Sequence, residues 1–133
     1  MIDPAAIDRL VAAARDASAN AYAPYSGFPV GAALLDADGR IFTGANVENA
    51  SYGLGCCAER AAVFAMASAG GRRIALLAVY TPTDTPTRPC GACRQVLQEL
   101  GRGCTVICAC AGPERFVAAL GELLPEPFTL DRP

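Results

Sequence analysis

Apolar residues along this chain follow a helical spacing in three stretches. Residues 3–20 predict the first helix, which Asp3 can cap and Pro4 can begin. Its apolar residues recur at helical spacing, at Ile7, Leu10, Val11 and Ala14. Residues 57–69 predict a second, alanine-rich helix that stops at a Gly-Gly pair, and residues 90–100 predict a third that also stops at a glycine.

Other apolar runs predict β-strands. Residues 28–35 and 40–47 flank an Asp-Ala-Asp-Gly turn and predict a hairpin. Residues 74–80 and 104–110 are almost continuously apolar, as in parallel strands that are covered on both faces. With the helix between them, these two strands predict a β-α-β unit. The pattern therefore predicts an α/β fold in which helices pack on a mixed sheet.

The stretches between these elements are less regular. Residues 48–55 are polar and predict a loop suited to a binding site, and residues 81–89 contain three prolines and predict another loop. Residues 113–124 have a periodicity that suits a helix, but Arg115 to Ala118 could instead form a short edge strand. Helix and strand therefore both stay open for residues 113–120.

Length and composition predict a single domain over residues 1–133 with a sizeable core. The 53% hydrophobic content is slightly rich for a globular chain and favours a subunit interface. The 11 basic residues are all arginines scattered along the chain, and the net charge is −2. Because this distribution lacks the basic stripe of a nucleic-acid-binding protein, we expect a small-molecule substrate.

We expect neither a signal peptide nor a transmembrane helix from this sequence. Charged residues interrupt the first 20 positions, and no apolar run reaches the roughly 18 residues that a span requires. The seven cysteines are therefore expected as reduced thiols in the cytoplasm rather than as a disulfide framework. Histidine and lysine are absent, which leaves carboxylates, thiols and tyrosines for acid–base chemistry.

Two short segments concentrate the candidate chemistry. Residues 55–60 read Gly-Cys-Cys-Ala-Glu-Arg, and residues 89–94 read Pro-Cys-Gly-Ala-Cys-Arg. Three of their thiols fall at predicted helix starts, namely Cys57, Cys90 and Cys93. The partial positive charge of a helix N-terminus favours thiolates. Three thiolates can hold a zinc ion and leave its fourth position open for water, and Glu59 beside them indicates hydrolytic chemistry.

The residues next to these thiols can tune such a site. Arg60 lies one turn on from Cys57 and can donate to its sulfur, whereas Arg94, directly after Cys93, suits that role less well. Three thiolates on a dication leave a net charge of −1, which opposes ionisation of a bound water. A guanidinium and the helix dipoles reduce that effect. Glu59 can take a proton from the water and deliver it elsewhere.

Other interpretations of the cysteines remain open. The Cys-x-x-Cys pair alone is compatible with a structural zinc site, with redox chemistry or with chance. A closed zinc site would need Cys56 as its fourth ligand, although we interpret Cys56 as a bystander. The other cysteines fall on one face of a predicted strand, as is typical of core packing, and are Cys104, Cys108 and Cys110.

At these residues the sequence resembles the cytidine deaminase family, specifically its small homotetrameric, zinc-dependent type. Residues 57–59 and 89–93 match the Cys-x-Glu and Pro-Cys-x-x-Cys segments of zinc nucleobase deaminases. Residues 25–31, Tyr-Ser-Gly-Phe-Pro-Val-Gly, and residues 46–52, Asn-Val-Glu-Asn-Ala-Ser-Tyr, are also similar to the family. The four motifs occur in the family's order, and the resemblance spans residues 22–128.

The resemblance implies a role for particular residues. One zinc ion per subunit would be bound by three ligands, Cys57, Cys90 and Cys93. Glu59 would be the catalytic proton shuttle, and Arg60 would donate a hydrogen bond to a zinc thiolate. The implied fold is a three-layer sandwich with a five-stranded mixed sheet between helices, which favours a strand at 115–118.

The resemblance also implies a substrate site shared between subunits. Phe28 would stack on the pyrimidine, and Asn46 and Glu48 would hold the ribose hydroxyls. The remaining substrate-binding residues would be Ala58 of the same chain, Ala50 and Tyr52 reaching a neighbouring subunit's site, and Phe128 closing a pocket across an interface.

Without the resemblance, these positions have plainer interpretations. Asn46 and Glu48 alternate at a predicted strand end, so both side chains point one way and could bind a diol, or they could simply end the strand in a turn. Phe28 alone would suit the core, and Tyr52 alone would suit a half-buried surface position.

The sequence therefore predicts a zinc aminohydrolase that converts cytidine and 2′-deoxycytidine to the uridines plus ammonia in pyrimidine salvage. Three alternatives remain: a deaminase for another aminopyrimidine such as a blasticidin-type antibiotic, a non-catalytic zinc module, and a polynucleotide deaminase. The acidic charge balance argues against the last. Preference for ribose or deoxyribose, and for a tetramer or a dimer, stays open.

Overall fold

The computed structural model describes residues 2–131, so residues 1, 132 and 133 of the predicted domain lie outside the described residues. The helices are α1 (Pro4–Ser18), α2 (Ala58–Ser68), α3 (Gly91–Leu100) and α4 (Leu120–Leu123). The strands are β1 (Gly31–Asp36), β2 (Ile41–Ala45), β3 (Ile74–Tyr80), β4 (Thr105–Ala109) and β5 (Arg115–Ala119). None of the helices within residues 2–131 combines the length and apolarity needed to span a bilayer.

The five strands form one mixed sheet in the order β2-β1-β3-β4-β5. β1 pairs antiparallel with β2 and with β3, whereas β3 and β4 are parallel and β5 returns antiparallel to β4. Helix α3 connects the two parallel strands, as the predicted β-α-β unit requires. The prediction of a five-stranded mixed sheet is therefore confirmed.

Helices cover both faces of the sheet. Alternate strand residues point to opposite faces, so each strand contributes to two separate cores. One core lies under α1 and includes Leu10, Ala14, Ala33, Ala78 and Ile107. The other lies under α2, α3 and α4 and includes Val63, Met66, Leu77, Leu97, Val106 and Leu120. The architecture is thus the predicted three-layer sandwich.

Helix α2 lies unusually close to strand β2. A Cβ atom added at Gly44 would lie 2.5 Å from the main-chain oxygen of Ala58 and 2.5 Å from the main-chain nitrogen of Ala62. Only a glycine fits at such a separation, so this residue sets the distance between the strand and the first turn of the helix. That first turn carries Glu59 and follows Cys57 directly.

The sequence left open whether residues 113–120 form a helix or a strand. Residues 115–119 form an edge strand, and the chain then turns into the short helix α4 within residues 120–123. The predicted strand at 28–35 begins later, at Gly31, because the Asn46 side chain binds the main chain of Phe28 and Val30. There the Asn46 side chain makes hydrogen bonds to the main chain that a neighbouring strand would otherwise make.

Candidate active site

The three predicted zinc ligands converge at the N-termini of α2 and α3. Cys57 is the N-cap residue of α2, Cys90 is the N-cap residue of α3, and Cys93 lies in the first turn of α3. The Sγ atoms of Cys57 and Cys90 are 3.9 Å apart, and those of Cys90 and Cys93 are 3.4 Å apart. All three sulfurs lie within 4.8 Å of one another.

This spacing suits a tetrahedral metal. Thiolates bound to zinc at about 2.3 Å with tetrahedral angles lie about 3.8 Å from one another, close to the separations of these thiols. The three sulfurs occupy three corners of such a site. Among the described residues, this is the one group of three or more cysteines and carboxylates with ligand atoms placed to share a metal ion. The chain can therefore hold zinc with one coordination position left for a small ligand.

Arg60 lies against this thiol cluster. Its Nη2 donates to the Cys57 sulfur at 3.4 Å, as the sequence predicted. Hydrogen bonds from Cys93, Arg60 and Cys90 lower the pKa of Cys57 to about 5, against the opposing effect of burial. The hydrogen bond to Cys57, together with burial, raises the pKa of Cys93. A dication among these sulfurs would favour their thiolate forms.

Glu59 is the buried carboxylate of the site, with a relative exposure of 5%. It is the second residue of α2 and lines the same cavity as Cys57 and Cys90. Burial raises the pKa of Glu59, and the nearby Cys57 thiolate raises it further, while its own main-chain N–H and Arg60 oppose the rise. A carboxyl group with a raised pKa is suited to gain and lose a proton near neutral pH.

A cavity of about 390 Å³ opens beside the thiol cluster. Five predicted residues line it in addition to the thiols Cys57 and Cys90, and these are Phe28, Asn46, Glu48, Ala58 and Glu59. Phe28 is 37% exposed, and Ala58 is fully buried as part of the cavity wall. A volume of this size is within the range of small-molecule sites. The structure therefore brings the predicted metal and same-chain substrate residues to one place.

Asn46 and Glu48 are already engaged with the loop at residues 25–30. The Asn46 amide donates to the Phe28 carbonyl oxygen at 2.9 Å and accepts from the Val30 N–H at 2.8 Å. Glu48 accepts from the main-chain N–H groups of Tyr25 and Ser26 and from the Ser26 hydroxyl. The Ser26 hydroxyl is the main reason that the pKa of Glu48 is lowered. Each side chain keeps further hydrogen-bonding capacity for a ligand.

The residues predicted to serve a neighbouring subunit lie outside this cavity. Tyr52 is 81% exposed and lines an adjacent cavity of about 400 Å³ together with Tyr25 and Glu48. Ala50 is also exposed, and it directly follows Asn49, which lines this second cavity. Phe128 is 69% exposed, and its carbonyl oxygen accepts from the Gln95 side chain at 2.9 Å. Within a single chain, none of these three meets the thiol cluster.

The remaining cysteines do not join the thiol cluster. The Cys56 thiol donates to the Cys57 carbonyl oxygen at 3.5 Å, and burial raises the pKa of Cys56. Cys104 and Cys108 are buried in the core under α2 and α3, and burial raises the pKa of each to about 11. The Cys110 thiol faces the carbonyl oxygens of three loop residues, Asp84, Gly112 and Glu114. A closed site with four cysteine ligands is therefore not formed in the described part of the chain.

Sequence reasoning missed part of the cavity wall. The loop before Cys90 contributes Thr87 and Arg88, and the end of β3 is followed by the buried Thr81. The Arg88 guanidinium lies 3.9 Å from the centre of the Phe116 ring. Only the position of Thr87 and Arg88 directly before the Pro-Cys motif could have indicated them. Arg94, the weaker candidate for a sulfur contact, donates instead to the carbonyl oxygens of Pro89 and Leu123.

Comparison with known proteins points to one family. Residues 5–110 match the family described as "Cytidine and deoxycytidylate deaminase zinc-binding region". The chain is 51% identical over 118 residues to a cytidine deaminase of Mycobacterium tuberculosis, which covers 89% of this chain and 86% of that relative. It is 55% identical over 91 residues to a cytidine deaminase of Halalkalibacterium halodurans, which covers 68% of this chain and 69% of that relative.

Solved structures agree with the sequence comparison. A cytidine deaminase from Burkholderia pseudomallei is similar with a TM-score of 0.88 at 49% identity, over 91% of this chain and 98% of that one. A cytidine deaminase from Mycobacterium tuberculosis is similar with a TM-score of 0.82 at 46% identity, over 98% of this chain and all of that one. The matched region contains both thiol segments. The chain therefore belongs to the cytidine and deoxycytidylate deaminase family.

Proposed function

We propose that this chain is a zinc-dependent hydrolase that converts cytidine and 2′-deoxycytidine to uridine and 2′-deoxyuridine and releases ammonia. The observation that carries this proposal is the convergence of three thiols and one buried carboxylate on a cavity of about 390 Å³. The ligand residues are Cys57, Cys90 and Cys93. Relatives named cytidine deaminase over most of the chain support the same activity.

The nucleoside occupies the cavity with its base toward the thiol cluster. Phe28 stacks on the pyrimidine ring, and Ala58 forms the wall behind it. Asn46 and Glu48 receive the sugar hydroxyls with the hydrogen-bonding capacity that the 25–30 loop leaves free. Because the nucleoside is bound through both its base and its sugar, it is held in one orientation. That orientation places C4 of the base at the catalytic end of the cavity.

Glu59 handles the protons of the reaction. Zinc, when bound, lowers the pKa of a coordinated water towards neutrality and so supplies the nucleophile. Glu59 takes a proton from the attacking water and gives it to N3 of the ring. Attack of the water oxygen on C4 forms the new C–O bond. Glu59 then moves the remaining proton of that oxygen to the C4 amino group, the C–N bond breaks and ammonia leaves, so one carboxylate acts in turn as base and acid.

The organisation of the whole protein follows from the same proposal. Residues 1–133 form one catalytic domain that acts in the cytoplasm in pyrimidine salvage. The protein is a homotetramer in which Ala50, Tyr52 and Phe128 reach the site of a neighbouring subunit. The exposure of Tyr52 and Phe128 in the single chain supports this arrangement, because exposed aromatic residues of this size are typical of interfaces.

Replacement of Glu59 by glutamine tests the proposed function. The variant keeps the shape of the side chain but cannot accept a proton, so we expect turnover of cytidine to fall by a factor of about 10² to 10⁴. Cytidine absorbance would follow the reaction, and metal analysis should show zinc retained as in the native protein. Native protein that binds zinc but deaminates neither nucleoside would refute the proposal.

A further inference from the structure

Arg94 joins two distant parts of the main chain. Its Nε donates to the carbonyl oxygen of Pro89 at 2.8 Å, and its Nη1 donates to the carbonyl oxygen of Leu123 at 2.9 Å. Within residues 2–131, Arg94 forms no ion pair with a carboxylate. A guanidinium presents its N–H groups in a rigid planar fork, so two carbonyl groups bound to it are held in a fixed relation.

The contact with Pro89 bears directly on Cys90. The main-chain N–H of Arg94 donates to the carbonyl oxygen of Cys90 at 3.0 Å, while its side chain binds the carbonyl oxygen just before Cys90. The peptide groups on both sides of Cys90 are therefore hydrogen-bonded to the same residue. The Cys90 sulfur is joined to this backbone through one rotatable bond with staggered minima, so fixing both peptides restricts where the sulfur can lie.

The contact with Leu123 provides the other anchor. Leu123 ends helix α4, so its carbonyl group has no partner within that helix. Helix α4 is itself fixed, because Leu120 is fully buried and its N–H donates to the Cys104 carbonyl oxygen at 2.9 Å. Arg94 thus ties the peptide before Cys90 to a helix turn that is anchored on the sheet.

We propose that Arg94 is a positioning residue of the metal centre and that, through it, helix α4 helps to determine how long the chain retains zinc. The inference rests on the proposed function, because it takes Cys90 as a zinc ligand. Arg60 contacts a sulfur directly, whereas Arg94 acts on the backbone that carries one. Residues that orient metal ligands from outside the coordination sphere typically change metal affinity or activity by 10- to 100-fold when replaced.

The rate of zinc release to a chromogenic chelator tests this inference. We expect Arg94→Gln to release zinc about tenfold faster than the native protein. Gln95→Ala is the matched control, because Gln95 is the next residue on α3 and also donates to a C-terminal carbonyl oxygen, that of Phe128. It binds neither peptide group of Cys90, so we expect Gln95→Ala to release zinc at the native rate.

Two further measurements separate positioning from general destabilisation. Arg94→Lys keeps the charge without the fork, so its release rate should fall between those of the native protein and Arg94→Gln. The absorption spectrum of the cobalt-substituted protein should change in Arg94→Gln and not in Gln95→Ala, even if both variants lower the melting temperature. If Arg94→Gln does not fold, the release rate of Arg94→Lys decides: a faster rate supports the inference and the native rate overturns it.

Native release rates in both Arg94 variants would overturn the inference, as would equal acceleration in Gln95→Ala. A native protein that binds no zinc would overturn the proposed function and this inference together. Zinc binding with cytidine turnover, but without any effect of Arg94, would overturn the inference alone. The two failures are therefore distinguishable.

Discussion

At the scale of single residues, the site depends on sulfurs that approach one another from two helix starts. Cys57 lies at the start of α2, and Cys90 and Cys93 lie at the start of α3, as their positions in the sequence predicted. The contacts of Asn46 and Glu48 were not predictable, because their partners lie 16 to 23 residues away in a loop with no regular pattern. The roles of all these residues in binding and catalysis stay predictions.

Asp36 shows how one carboxylate can stabilise a turn. Its side chain accepts from the main-chain N–H groups of Asp38 and Arg40 and from the Arg40 guanidinium, at 2.8 to 3.0 Å. Burial alone would raise the pKa of Asp36, but these hydrogen bonds outweigh it and lower the pKa. The folded state therefore favours the ionised carboxylate more than the unfolded state does.

Replacement of Asp36 by asparagine should lower the melting temperature in a pH-dependent way. The contribution of ionised Asp36 to the free energy of unfolding is fully present above its unfolded pKa of about 4. It is lost as pH falls through the lower folded pKa. The gap in melting temperature between the two proteins should thus be widest at neutral pH and shrink below about pH 4. Asp38→Asn is the matched control and should melt like the native protein. A gap that stays constant down to pH 3 would contradict this account.

At the scale of elements, periodicity predicted the types of helix and strand, while tertiary contacts set several boundaries. Strand β1 begins three residues later than predicted because the Asn46 side chain binds the chain there. Residues 115–119 form a strand despite a helix-like pattern, because they pair with β4. They lie at the sheet edge, where several of their side chains are exposed. Such pairing depends on a partner strand that a local pattern cannot reveal.

The packing of α2 on β2 gives an element-scale prediction. Gly44→Ala should push the first turn of α2 away from the sheet, because the new Cβ would overlap main-chain atoms of Ala58 and Ala62. We expect the free energy of unfolding to fall by about 1–3 kcal/mol, as is typical of overpacking. Zinc affinity should fall as well, because the displaced turn carries Glu59 and follows Cys57.

Gly121→Ala is the control for this prediction. Gly121 lies in helix α4, and a Cβ added there meets no atom within 4 Å. Chemical denaturation and a zinc titration of both variants would measure the two effects. Equal stability and equal zinc affinity in Gly44→Ala and in the native protein would show that this close approach does not position the site.

At the scale of the whole molecule, exposed aromatic and aliphatic residues are the observation that supports the proposed assembly. Tyr52, which lines the second cavity, is 81% exposed, Leu54 is 74% exposed and Phe128 is 69% exposed. The proposed homotetramer predicts a sedimentation mass of four chains. Tyr52→Ser should weaken both assembly and cytidine turnover, because the proposal places this residue at a neighbouring subunit's site. A monomer with full activity would contradict the shared-site proposal.

The central claim is that three sulfurs of one chain hold zinc and leave one position free beside Glu59. X-ray absorption at the zinc edge of the native protein tests it most directly, because it counts the atoms around the metal. The account predicts three sulfurs at about 2.3 Å and one oxygen or nitrogen at about 2.0 Å. Four sulfurs would indicate a closed structural site, and two or fewer would show that the cysteines named here are not the ligands; either result would contradict the account.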